Sequence, residues 1–129
     1  MKVYTDAARD DDIAAMAWVI VLDSGREITG NRYMVGNYTS MEVEYFALLD
    51  GLRHARRHGD TVDVHADCKP MIQKMRVPDG NSQDWYDRRQ GCHRLLQKFD
   101  SWSMNWMPRS NNSQADRLAY EALEEGRQS

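Results

Sequence analysis

Residues 39–52, TSMEVEYFALLDGL, organise the rest of the chain. Met41, Tyr45, Leu48, Leu49 and Leu52 recur at helical spacing, so one stripe of this segment is apolar and must be buried. Thr39 or Ser40 stands where an N-cap belongs. Glu44 falls in the first turns, at the edge of the stripe, near the core rather than straight into water. An acid there either complements the helix dipole or serves as a ligand. For Glu44 alone the dipole is the commoner explanation; the positions of three other acids weigh against it.

Around this helix the chain reads in order. Residues 2–5 form a short strand ending at Asp6, and the polar residues 7–12 read as a loop. The run AAMAWVIVL at 14–22 is apolar and rich in β-branched and aromatic residues, which points to a buried strand. Asp23-Ser24-Gly25 is a turn with a glycine available for positive φ. Residues 26–35 return as a hairpin strand. The central helix runs to about His58 and is stopped by Gly59-Asp60. Residues 62–66 form a strand ending at Asp67, and Cys68-Lys69-Pro70 opens a helix with proline in its permitted first turn. After a loop at 77–81, Ser82 caps a helix with Trp85, Cys92, Leu95, Leu96 and Phe99 as its stripe. Trp102, Met104 and Trp106 alternate with polar residues as a half-buried strand. Asn111 or Asn112 caps the last helix, whose inner face is Ala115, Leu118, Ala119, Ala122 and Leu123.

Short turns make the first three strands antiparallel, and the later two return through helices, parallel to the first. The expected fold is α/β: a mixed five-stranded sheet with helices packed on it, in one domain spanning residues 1–129. A net charge of −3 supplies no global basic field for a polyanion, so any such partner must be held by local basic patches or metal ions. No apolar run approaches the ~20 residues of a membrane span. The N-terminus has no signal-peptide core, and the two cysteines, Cys68 and Cys92, make no disulfide framework. A reduced, cytoplasmic protein is expected.

Four acids then fall on one edge of this sheet. Asp6, Glu44, Asp67 and Asp116 all follow strands running in the same direction, at the edge where open α/β sheets place their sites. Gathering them is costly: at ~5 Å and an effective dielectric near 20, two carboxylates repel by roughly 3 kcal/mol. Hard divalent cations such as Mg²⁺ or Mn²⁺ are the natural compensation. Singly, each acid has an ordinary explanation as a turn, cap or dipole residue. Jointly these explanations must coincide four times.

Thr5-Asp6 on a strand, Thr39-x-x-x-x-Glu44 before Ala47-Leu48, Asp67 at a strand-to-helix step, and Arg109-x-x-Asn112-x-x-Ala115-Asp116-x-Leu118-Ala119 together resemble type 1 ribonuclease H. The similarity spans essentially the whole chain, and the last motif is the most specific. The resemblance implies a ribonuclease H-like fold and an endonuclease that cuts the RNA strand of RNA/DNA hybrids with two Mg²⁺ or Mn²⁺ ions, leaving a 5′-phosphate and a 3′-hydroxyl. It implies that Asp6 bridges both ions, that Asp116 helps hold the ion activating the water, and that Glu44 and Asp67 hold the other. Thr39 matches a position contacting the substrate backbone. Ser40, Arg109 and Asn112 are further candidate substrate residues. The expected partner is an RNA/DNA hybrid, met by a monomer with no membrane attachment.

The chain also departs from the family pattern. The glycine-rich turn after the first acid is absent. Ser40 and Met41 stand where a pair of asparagines is frequent, Cys68 replaces a frequent serine, no histidine lies between Met107 and Asp116, and the basic handle loop of larger members is missing. None of these removes an acid. They predict an altered substrate preference or rate. Two alternatives stay open: a non-catalytic module on the same fold that binds nucleic acid or protein, and another nuclease of the wider fold, such as a junction resolvase or exonuclease. Arg53, His54, Arg56, Arg57 and His58 read as cations at a helix C-terminus. Arg88, Arg89, Arg94 and Lys98 are better placed for a duplex backbone. His65 reads as structural and His93 as a surface residue. Trp18, Trp85, Trp102 and Trp106 fit core positions rather than base-stacking platforms.

Overall fold

The structure, a computed structural model, describes residues 1–77 and 87–129. Five strands lie in the order β3-β2-β1-β4-β5. They are β1 (Lys2–Asp10), β2 (Ile13–Val21), β3 (Glu27–Val35), β4 (Thr61–Ala66) and β5 (Ser101–Trp106). β1, β2 and β3 pair antiparallel; β4 joins β1, and β5 joins β4, in parallel. The helices are α1 (Ser40–Ala55), α2 (Lys69–Arg76), α3 (Asp87–Leu96) and α4 (Ser113–Arg127). The mixed sheet is the one expected from the sequence. The expected loop at 77–81 reaches described structure only at Val77, and Ser82 and Trp85 lie outside the described residues.

The alternation along β2 distributes the core between two layers. Trp18 and Ile20 face α1, where Tyr45, Leu48 and Leu52 are fully buried beside Val3. Ala15 faces the other way, toward Ala122 and Leu123 of α4. Each buried leucine contributes about 1.5–3 kcal/mol relative to an exposed one. Trp18 pairs with Gly30 across the β2–β3 ladder, and its indole occupies the space a side chain at 30 would need: a Cβ there would lie 2.3 Å from Trp18 Cζ2.

Two expectations change. The first strand does not end at Asp6, nor are residues 7–12 a loop. β1 continues to Asp10, pairing Asp10 with Ile13 around a two-residue turn at Asp11-Asp12. This hairpin overhang is covered on one side only, where Ala8 packs beside Ala15 and Ala122, so it lacks the apolar signature of a buried strand. The second change is at β5. Met104 is buried, but Trp102 is 38% and Trp106 46% exposed. The covering helix α2 has 8 residues, hence ~12 Å of length, against ~20 Å for a six-residue strand. It shields the middle of β5 and leaves both ends open.

Candidate active site

Register and helix entry together assemble the acids. Thr5 pairs with Ala66 in the parallel β1–β4 ladder, so the residues that follow, Asp6 and Asp67, stand level on neighbouring strands. Glu44 descends onto them from α1. The start of α1 is fixed by a capping box: Thr39 Oγ1 accepts from the Glu42 amide at 3.1 Å, and Glu42 Oε1 accepts from the Thr39 amide at 3.0 Å. Asp6, Glu44 and Asp67 each offer a carboxylate oxygen, and these oxygens lie within 4.8 Å of one another. Asp116, in the first turn of α4, stands one step outside that group. It lies near enough to Asp6 to help raise that carboxyl's pKa, while its Oδ1 accepts from Arg109 Nη2 at 3.0 Å.

The electrostatics match this crowding. Asp6 is 4% exposed. Burial, then the charge of Asp67, raise its pKa to about 7, against the pull of the Ala7 amide, which donates to Asp6 Oδ1 at 2.9 Å. Glu44 is raised well above the usual carboxylate range by burial first, then by Asp6 and Asp67, with Arg109 opposing. Burial and then Glu44 lift the neighbouring Cys68 thiol to about 11, so it stays protonated.

Asp6 Oδ2 and Glu44 Oε1 are buried without a hydrogen-bond partner among the described residues. An uncompensated buried carboxylate oxygen is expensive. A hard cation satisfies several such oxygens at once, and the donor set here is all carboxylate, as Mg²⁺ or Mn²⁺ prefers. The site therefore fits a divalent ion on its own chemistry.

Asn112 organises the rim. It precedes α4, yet its side chain makes no cap. Instead Nδ2 donates to the Thr5 carbonyl at 2.9 Å and to Asp67 Oδ2 at 3.2 Å, from a buried position. One amide thus ties the α4 N-terminus to β1 and aims Asp67. The spacing within the last motif suggested a cap; nothing in the sequence pointed to these two acceptors. Thr39 has its hydroxyl in the capping box, and Arg109 is exposed and paired with Asp116. Ser40 lines a shallow pocket of about 130 Å³ with Ala7, Ala8, Arg9, Val43 and Glu44. Trp106 Nε1 donates to the Asp67 carbonyl at 3.3 Å, with Lys69 Nζ 5.5 Å from its ring centroid. Sequence reasoning missed this half-exposed indole beside an acid, because its spacing reads as core.

Residues 4–122 match the family described as Reverse transcriptase-like. The crystal structure of RNase H1 from the halophilic archaeon Halobacterium salinarum aligns with a TM-score of 0.84 at 31% identity, covering 96% of this chain and 97% of that one. The chain belongs to the type 1 ribonuclease H family. Ribonuclease HI of Halobacterium salinarum is 33% identical over 115 residues, which are 87% of this chain and 57% of that protein, so the chain spans little more than half that relative's length. LC11-RNase H1, solved in complex with an RNA/DNA hybrid, shares the ribonuclease H fold at a TM-score of 0.83 and 23% identity, covering 97% of each chain. The resemblance expected for Asp6, Glu44, Asp67 and the Asn112-to-Asp116 motif therefore falls on a ribonuclease H scaffold. Among the described residues no helix is long and apolar enough to cross a membrane, and Cys68 and Cys92 are free thiols.

Proposed function

We propose that this chain is a metal-dependent endonuclease of the ribonuclease H type, hydrolysing the RNA strand of RNA/DNA hybrids. The observation that carries the reading is the convergence of Asp6, Glu44 and Asp67, from three separate elements, within 4.8 Å at an edge where two buried carboxylate oxygens lack donors among the described residues. A cluster this repulsive is hard to account for without a cationic ligand.

In this reading Asp6, at the centre of the cluster, would hold Mg²⁺ or Mn²⁺ together with Glu44, Asp67 and Asp116. Bound there, the ions would supply charge stabilisation to the attacking and leaving oxygens of an in-line displacement at phosphorus. Asn112 keeps one Asp67 oxygen oriented by donating to it. Arg109 holds Asp116 beside Asp6 until substrate enters, then is free to meet a phosphate, because its side chain is largely exposed. Ser40 and Thr39 flank the approach to Glu44, where contacts to ribose 2′-hydroxyls in a shallow minor groove would select RNA.

The test is a panel of equally labelled substrates incubated with millimolar Mg²⁺ or Mn²⁺: RNA/DNA hybrid, duplex RNA, duplex DNA and branched DNA. The proposal expects cleavage of the RNA strand in the hybrid alone or foremost. Preferential cleavage of branched or duplex DNA would overturn the substrate assignment. No cleavage of any member, with no thermal shift from either ion, would make the chain a non-catalytic module on this fold.

A further inference from the structure

Asp67 is held from two directions, and both holds come from one short stretch of chain. Its carboxylate Oδ2 accepts from Asn112 Nδ2 at 3.2 Å, and its main-chain carbonyl accepts from Trp106 Nε1 at 3.3 Å. Trp106 closes β5 and Asn112 precedes α4, so the two donors stand at the two ends of the connection between those elements. Register explains how the indole reaches its acceptor. Trp106 pairs with Ala66 in the parallel β4–β5 ladder, and the Met107 amide donates to the Ala66 carbonyl at 3.0 Å. Residues two apart on a strand share a face, so Trp106 points to the side where Met104 packs with Met71, Ile72 and Met75 of α2. The step from β4 into α2 crosses that side. The indole N–H meets it at Asp67, and Lys69, the first residue of α2, places Nζ 5.5 Å from the ring centroid.

Packing alone does not account for this indole. Trp18 is 4% exposed and belongs to the core, whereas Trp106 is 46% exposed and gains correspondingly less from burial. Its one polar atom is directed at the main chain of a cluster acid. Trp102, at the other end of β5, is comparably exposed but makes no hydrogen bond among the described residues. Asp67 falls between β4 and α2, where the backbone leaves the ladder before the helix begins. The indole bond fixes the peptide plane at that step. The carboxylate of Asp67 lies within 4.8 Å of those of Asp6 and Glu44, and an ion held by all three depends on that backbone staying in place.

We propose that Trp106 is a positioning residue for the acid cluster: its indole N–H locks the backbone of Asp67, so that the carboxylate meets those of Asp6 and Glu44 in the geometry a divalent cation needs. The proposal rests on the metal-dependent reading of the cluster. Groups that orient metal ligands from outside the coordination sphere change metal affinity when removed. Here the bond is long and acts through the main chain, so the expected loss is about tenfold, the low end of such effects.

The experiment is Mn²⁺ binding to the full chain without substrate, followed by electron paramagnetic resonance, in wild type, Trp106→Phe and Trp102→Phe. Phenylalanine at 106 keeps an aromatic ring beside Lys69 and removes the N–H. The Mn²⁺ Kd should rise about tenfold in Trp106→Phe and stay unchanged in Trp102→Phe. In hybrid cleavage, Trp106→Phe should lose rate at low Mg²⁺ and regain most of it at high Mg²⁺, with KM for the hybrid unchanged. An unchanged Mn²⁺ Kd in Trp106→Phe overturns the proposal, whatever happens to the melting temperature. A raised KM with unchanged Kd does the same and makes Trp106 a substrate contact. If Trp106→Phe does not fold, the Trp106 indole N–H resonance of the wild type decides: it should shift as Mg²⁺ is added, and an unmoved resonance overturns the proposal. Tenfold weaker Mn²⁺ binding in Trp106→Phe, with no hybrid cleavage by wild type, supports the positioning role and counts against the nuclease reading alone. A wild type that binds no Mn²⁺ overturns both.

Discussion

At the scale of single residues the acids carry the argument, and their proton affinities give it a measurable form. Burial and the charge of Asp67 hold the Asp6 proton on up to about 7, against 3.8 for an unperturbed aspartate. Between those values the folded chain binds more protons than the unfolded one, so stability of the metal-free protein falls as pH rises from about 4 to about 7. Glu44 adds to the same slope, its carboxyl being raised for the same reasons. A divalent cation binds the ionised cluster and opposes the trend. Melting temperature should therefore decline across this window in EDTA, decline less steeply in Asp6→Asn, and be raised by millimolar Mg²⁺ more at pH 8 than at pH 5. A Mg²⁺ shift of equal size at both pH values would contradict the assignment of Asp6 as a ligand. Glu44, Asp67 and Asp116 were legible from sequence as acids following strands of one direction; Asp6 was legible as an acid on the same edge but lies within β1 rather than at its end. The pairing of Asp116 with Arg109 was not, because it depends on which way an exposed guanidinium turns.

At the scale of elements, caps and register do the positioning. The capping box at Thr39 sets where α1 starts, and the Thr5–Ala66 pairing sets Asp6 level with Asp67. The attachment of α4 rests on Asn112. Replacing it with alanine strips the Thr5 carbonyl and Asp67 Oδ2 of a shared donor. The expected cost is on the order of 2 kcal/mol, since one bond goes to a carboxylate and the carbonyl is buried. Denaturant melts should show that loss. Hybrid-cleavage kinetics should show a fall in kcat larger than any rise in KM, because Asp67 loses its orientation. A melt unchanged within error, or a pure KM effect, would show that Asn112 contacts substrate instead of holding the site. Helix and strand identities were readable from periodicity, but the β1–β2 overhang and the β5 tryptophans were not. Period two says that residues share a face; it does not say whether anything covers that face. α2 is too short to cover Trp102 and Trp106, and Ala7-Ala8 is shielded on one side only. Arg89 fails the same way. Its spacing groups it with surface cations, yet it is 2% exposed and donates Nη2 to the Lys74 carbonyl at 3.1 Å, an inward turn that sequence spacing does not encode.

At the scale of the whole molecule, connectivity alone predicted the sheet, because hairpin turns and helical crossovers leave few arrangements for five strands. That sheet brings residues 6, 44 and 67 together from distant parts of the chain. The most direct measurement is cleavage of a labelled RNA/DNA hybrid in Mg²⁺ by wild-type protein and by Asp6→Asn, with the fold of both checked by near-UV circular dichroism. The account predicts cleavage by the wild type and a loss of at least a hundredfold, about 2.7 kcal/mol of transition-state stabilisation, in a fully folded variant. Undiminished cleavage by folded Asp6→Asn protein would contradict it.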